Sequence, residues 1–139
     1  MRARDDVVPA LTRSPLFAGI SKHELQEIAG TFDETTFLPE HGVLHEHRTG
    51  LEFFFILDGR ATVEADGTPI AELGPGDFFG EVSALDGGPR TATVRATTML
   101  RCLVLPNGTF REFLMAHPRV AVNLLPEIVR RFRSYARSE

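Results

Sequence analysis

Residues 78–96 read FFGEVSALDGGPRTATVRA, from Phe78 to Ala96. A Gly-Glu step, a run long enough for one helical turn, a Gly-Gly-Pro turn and an arginine follow in close order. Gly80 can bring backbone near a ligand because no Cβ stands in the way. A helical turn starting near Glu81 leaves its first N–H groups without partners inside the turn, available to an anion. Arg90 carries a permanent charge on a planar fork that matches phosphate or carboxylate. Glu81 can accept hydrogen bonds, as from a sugar hydroxyl. An acid and a base in one tight pocket suit a ligand that is both phosphorylated and hydroxylated.

Outward from this stretch the chain divides into helix, strand and helix. On the N-terminal side, charged residues Met1 to Asp6 are expected to fray, and Val7 to Ser14 to form a short helix. Ser21 and Glu24 have capping-box spacing, with Ser21 covering an orphan N–H and Glu24 reaching back to the cap. Leu25, Ile28, Ala29 and Phe32 then recur at helical spacing. From Phe37 to Pro106 short β-runs alternate with turn residues, and strands are expected at 51–57, 60–65, 70–73, 91–97 and 100–105. Asp66-Gly67 signals a hairpin, and Gly74-Pro75-Gly76-Asp77 another turn. After Asn107-Gly108 helical periodicity returns. Phe110, Phe113 and Leu114 make one apolar stripe. Val120, Leu124, Leu125, Ile128, Val129 and Phe132 make a second. Pro126 predicts a helix break near Leu125, since proline removes a hydrogen bond and crowds the preceding turn. Many short strands between helices indicate a jelly-roll-like β-barrel with helical flanks.

The stretch FGEVSALDGGPRTATVRA resembles the phosphate-binding cassette of the cyclic nucleotide-binding domain family. The likeness extends to LFAGISKHEL, FFFILDGRATV and LGPGDFFGE, so it spans nearly the whole chain. The resemblance implies a mainly β fold with flanking helices: a jelly-roll-like β-roll (double-stranded β-helix), an N-terminal helix and a C-terminal helical lid. It implies one domain over 1–139, with a helical lead-in at 7–32, the β-roll at 35–106 and C-terminal helices at 108–137. Its ligand would be cAMP or cGMP, with no other cofactor. Arg90 would pair with the cyclic phosphate, completed by backbone N–H groups of Val82, Ser83 and Ala92. Glu81 would accept from the ribose 2′-hydroxyl, and Gly80 would let the sugar approach. Thr91 could reach a guanine amino group in a syn base, or serve as an ordinary strand residue. The C-terminal helices would close on ligand binding and signal to a protein effector.

Composition limits the alternatives. The 139 residues suit one domain, and the net charge of −4 gives no broad basic field for nucleic acid. Arg130, Arg131, Arg133 and Arg137 lie among Glu127 and Glu139, as on a solvated helix face, with one arginine placed to cap the base pocket. The chain ends at Glu139 without a helix-turn-helix, so direct DNA binding is not expected. Pairing of two copies through the last helix is a family habit, which Pro126 opposes. The single Cys102 in an apolar run suits a buried thiol and a reducing compartment. With no signal core or transmembrane-length run, a cytoplasmic protein away from the membrane is expected. No Ser-His-Asp order, zinc-protease motif or P-loop is visible, so no catalysis is expected.

Two other readings compete. His45, His47 and Glu52, followed by Gly59, match the spacing of the first metal motif of cupins. The histidines would alternate onto one strand face and Glu52 would return across a turn. The second cupin motif is absent, and Phe78 and Phe79 follow the GPGD turn instead. The other reading is a degenerate interaction module that binds no nucleotide, against which Glu81 and Arg90 stand intact.

Overall fold

Phe53–Asp58 is apolar at every position but the last, so alternation cannot give it one wet face. Both faces are buried, against different partners. Phe53, Phe55 and Leu57 point to a helical core with Leu11, Phe17, Ile28 and Phe110. Phe54 and Ile56 point the other way, to a second core with Phe79, Val94, Leu100 and Cys102. This period of two is what a pleated strand imposes. Ring contacts follow the same division: Phe53 stacks on Phe110 at 4.3 Å between centroids, and Phe54 on Phe79 at 4.7 Å.

The computed structural model describes residues 6–137, with side chains through residue 134. The fraying expected for Met1 to Asp6 falls outside this range except at Asp6, and the side chain of Arg137 and all of Glu139 lie outside it. Helices α1 (Val7–Thr12) and α2 (Lys22–Thr31) flank a 3₁₀ turn at Pro15–Phe17. Strands β1 (Asp33–Phe37), β2 (Gly42–Leu44), β3 (Phe53–Asp58), β4 (Ala61–Ala65), β5 (Thr68–Leu73) and β6 (Phe78–Phe79) follow. After α3 (Glu81–Asp86) come β7 (Thr93–Ala96), β8 (Leu100–Leu105), α4 (Phe110–Ala116) and α5 (Pro118–Arg137). The strands form two antiparallel sheets, ordered β1-β8-β3-β6 and β2-β7-β4-β5. This is the β-roll with flanking helices that the sequence implies.

Local signals hold in several places. Ser21 Oγ accepts from the Glu24 N–H at 3.2 Å, opening α2. Asp66 and Gly67 take φ of 53° and 78° at the β4–β5 hairpin, the left-handed pair that an Asp-Gly turn favours. Gly74 N–H donates to Asp77 Oδ2 at 2.9 Å, closing the next turn.

Other expectations are corrected. Glu24 does not complete the capping box; its carboxylate lies 2.9 Å from His117 Nδ1, between α4 and α5. Strand limits move: Leu51, Glu52, Arg60, Thr91, Ala92 and Thr97 fall outside strands, while β1, β2 and β6 add strand where none was expected. β1 is polar and mostly exposed, β2 has three residues and β6 two, so none shows a period long enough to read.

Helix α5 runs through Pro126 without a break. Proline deprives the helix of one N–H donor, which would have gone to the Val122 carbonyl. Both residues are exposed, so water can reach that side, while Val120, Leu124 and Ile128 pack continuously on the other. The expected single apolar stripe is in fact two faces. Val120 and Leu124 are buried, and Val122, Leu125, Val129 and Phe132 are 48–70% exposed.

Candidate ligand-binding pocket

The β6–α3 corner depends on Gly80. It caps α3 with φ at +87°, a left-handed conformation costly for residues with a Cβ. A Cβ there would lie 2.7 Å from the Glu52 carbonyl oxygen and 3.2 Å from Arg90 Nη1. Neighbouring backbone and the arginine therefore require glycine, independently of any ligand. α3 lasts six residues and stops at Gly87, also left-handed at +77°, whose N–H donates to the Ser83 carbonyl.

Arg90 is held from all sides. Its side chain is 4% exposed, with Nη1 donating to the Gly80 carbonyl and Nη2 to the Glu52 carbonyl, each at 3.1 Å. The Glu52 carboxylate lies 3.7 Å from Nη2. Its backbone is pinned as well: His47 N–H donates to the Arg90 carbonyl, and Arg90 N–H to the Arg48 carbonyl, both at 2.8 Å. Burial pulls the guanidinium below its ordinary pKa, while the charges of Glu52 and Glu81 oppose that shift. Fixed donors at a desolvated position bind an anion without the reorganisation that water would need.

Glu81, 7% exposed, meets a cation from the far end of the chain. Arg131 of α5 places Nη1 3.2 Å from Glu81 Oε1 and donates through Nη2 to the Phe78 carbonyl. Its guanidinium carbon stands 4.1 Å from the centre of the Phe78 ring, in cation–π contact.

These groups border one cavity of about 360 Å³, within the range of small-molecule sites. Gly80, Glu81, Val82, Ser83, Arg90, Thr91 and Ala92 all line it. Every candidate nucleotide-site residue from the sequence is therefore brought to one place. The opposite wall is apolar, with Leu44, Val63, Ile70, Leu73 and Val94. One end can take charge and hydroxyls, the other a flat apolar-faced ring.

The candidate metal set is not brought together. His45 and His47 follow β2 in a turn, where His47 has φ of 73°, so they do not alternate along a strand. Glu52 faces Arg90 instead. Among the described residues the group with metal-binding proximity is Glu46, His47 and Asp66, and Glu46 already accepts from the Asp66 N–H at 3.0 Å.

One feature of the pocket escaped the sequence reading, and a second was anticipated only as one unassigned arginine of the C-terminal helix. The Glu52 carbonyl is a backbone contact, and no side-chain pattern reports it. Arg131 did carry a signal: it falls three residues after Ile128 and seven after Leu124, on the face that packs inward.

Residues 34–117 match the cyclic nucleotide-binding domain family. The chain is 27% identical over 128 residues to a CRP-like cAMP-activated global transcriptional regulator of Mycobacterium tuberculosis, covering 88% of this chain and 57% of that one. It is 35% identical over 108 residues to a cyclic nucleotide-gated potassium channel of Rhizobium etli, covering 77% of this chain and 30% of the channel. A cyclic nucleotide-binding domain from Methylobacillus flagellatus superimposes with a TM-score of 0.81 at 26% identity, covering 97% of this chain and 82% of that one. The chain thus spans little more than half of the regulator and under a third of the channel. No described helix is long and apolar enough to cross a membrane. The matched segment runs from within β1 to just past α4 and contains both Glu81 and Arg90, and the chain belongs to the cyclic nucleotide-binding domain family.

Proposed function

We propose that this domain is a non-catalytic sensor of a 3′,5′-cyclic nucleotide, cAMP or cGMP. The observation that carries it is the single cavity in which buried Arg90 and Glu81 face an apolar wall. The cyclic phosphate lies against Arg90 and the backbone N–H groups of Val82, Ser83 and Ala92. The ribose lies by Gly80, with its 2′-hydroxyl donating to Glu81, and the base faces the apolar wall near Thr91. The site calls for no further cofactor.

Signalling then runs through helices. Ala84 and Leu85 of α3 pack on the core that contains Phe110 and Phe113 of α4. Ligand contacts that draw α3 inward therefore alter what α4 and α5 rest on, and the ligand favours whichever arrangement it binds better. The receiver is a protein effector, and the exposed face of α5 offers a separate surface for pairing. Val122, Leu125, Val129 and Phe132 are spaced three, four and three apart, the heptad stripe of a two-stranded coiled coil. Val at both a positions and Leu at one d position favour two strands, so the occupant we assign is a second copy of the chain. A cytoplasmic setting agrees with the free, buried Cys102.

Amide hydrogen exchange with and without saturating cAMP or cGMP tests this reading. Protection should change at residues 80–92 and, through the helices, at 110–134. Unchanged exchange in both segments with both nucleotides would refute it.

A further inference from the structure

We infer that Asn107 is a positioning residue for the phosphate end of the cavity: from the turn that opens the C-terminal helices, its side chain fixes the strap 48–52 that holds Arg90. The inference rests on the cyclic nucleotide reading above and adds a residue that lies outside both the cassette and the cavity lining. The strap follows the arginine along its length. The Arg48 carbonyl accepts from the Arg90 N–H at 2.8 Å, and the Glu52 carbonyl accepts from Nη2 at 3.1 Å. Between them Gly50 lies so close that an added Cβ would stand 3.2 Å from both Nε and Nη2. The backbone of 48–52 therefore sets where the guanidinium sits.

No strand holds this strap. β2 ends at Leu44 and β3 begins at Phe53, so residues 48–52 lie outside both sheets. The Asn107 side chain supplies a hold instead: its Oδ1 accepts from the Leu51 N–H at 2.6 Å, across 56 residues of chain. Leu51 directly precedes Glu52, so the bond fixes the backbone one residue before the carbonyl on which Nη2 rests. A segment ordered before the ligand arrives spares binding the entropy of ordering it. Asn107 itself sits in a closed turn, where the Thr109 N–H and hydroxyl both donate to the Pro106 carbonyl just ahead of α4. The phosphate anchor is thus registered against the start of the C-terminal helices as well as against α3.

The test uses three proteins and two readouts. The unaltered chain, Asn107→Ala and Asn107→Asp are compared by amide hydrogen exchange without ligand and by titration with cAMP and cGMP. In Asn107→Ala, exchange should quicken at 48–52 and at the Arg90 amide while α2, β3 and β8 keep their protection. Its affinity should fall roughly two- to tenfold, the range for one hydrogen bond. Asn107→Asp keeps an acceptor oxygen in the same place and should restore the protection and most of the affinity. An affinity loss accompanied by faster exchange throughout the chain would mean a merely structural role and overturn the inference. So would unchanged exchange at 48–52 in Asn107→Ala, undiminished affinity with a loosened strap, or an Asn107→Asp protein that behaves like Asn107→Ala. If the unaltered chain binds neither nucleotide, the cyclic nucleotide reading fails and the inference with it, whereas failure of the inference alone leaves that binding intact.

Discussion

Cys102 and Arg90 show how surroundings set the chemistry of single residues. Cys102 lies in β8 facing the roll interior, fully buried, and burial pushes its thiol up to about 12. An unfolded thiol ionises near about 8.5. Below that pH both states keep the proton and stability does not depend on this group. Above it the unfolded chain releases a proton that the folded chain retains, so stability falls as pH rises toward 12. Denaturant melts at pH 8 and pH 10 should show the native chain losing about 2 kcal/mol more than Cys102→Ala, at about 1.4 kcal/mol per pH unit. Equal losses, or rapid alkylation of the native thiol at pH 8, would contradict this environment. Cys102 was legible because its burial follows from a local apolar run. So was Arg90, whose place after the Gly-Gly-Pro turn is local too. The carbonyls that hold Arg90 were not legible, since Glu52 lies 38 residues away and acts through its backbone.

Elements were legible where a local signal and the tertiary environment agree. Ser21 caps α2 and Asp66-Gly67 turns the β4–β5 hairpin as their types require. Pro126 is where they disagree, because inward packing on both sides of the proline outweighs one lost hydrogen bond. Pro126→Ala should therefore stabilise α5. The interior-helix penalty is about 3 kcal/mol, reduced by the greater freedom of the unfolded alanine chain. A thermal melt should move upward for Pro126→Ala. A lower midpoint would mean that the proline shapes a packing contact rather than interrupting a helix. The Glu24 carboxylate gives the same lesson. Three residues from its cap it was expected to turn back, and it turns instead to His117, 93 residues on. Spacing identifies the nearest polar partner but not a better one delivered by the fold.

Over the whole molecule, α5 presents two faces with different surroundings. Asn123 ties α5 to the carbonyls of Leu16 and Ala18, and Arg131 ties it to the pocket. The opposite face carries four of the large apolar side chains left exposed among the described residues. Sedimentation at micromolar concentration should give a dimer for the native chain and a monomer for Leu125→Glu, which places a charge on the stripe. A monomeric native chain, or a dimer indifferent to that charge, would remove the second copy as the occupant. Helical periodicity alone could not separate these faces, because both are apolar; only the placement of the 3₁₀ turn at Pro15–Phe17 and the pocket shows which one turns inward.

Recognition of a cyclic nucleotide by the Arg90–Glu81 cavity underlies every role proposed for the helices. Calorimetric titration with cAMP and cGMP, each against its linear monophosphate, tests it most directly, with Arg90→Ala as the companion protein. Saturable binding of at least one cyclic form is expected, with much weaker binding of its linear counterpart and at least a tenfold loss in Arg90→Ala, as removal of a charge-assisted contact implies. No binding of either cyclic nucleotide, or undiminished binding by Arg90→Ala, would contradict it.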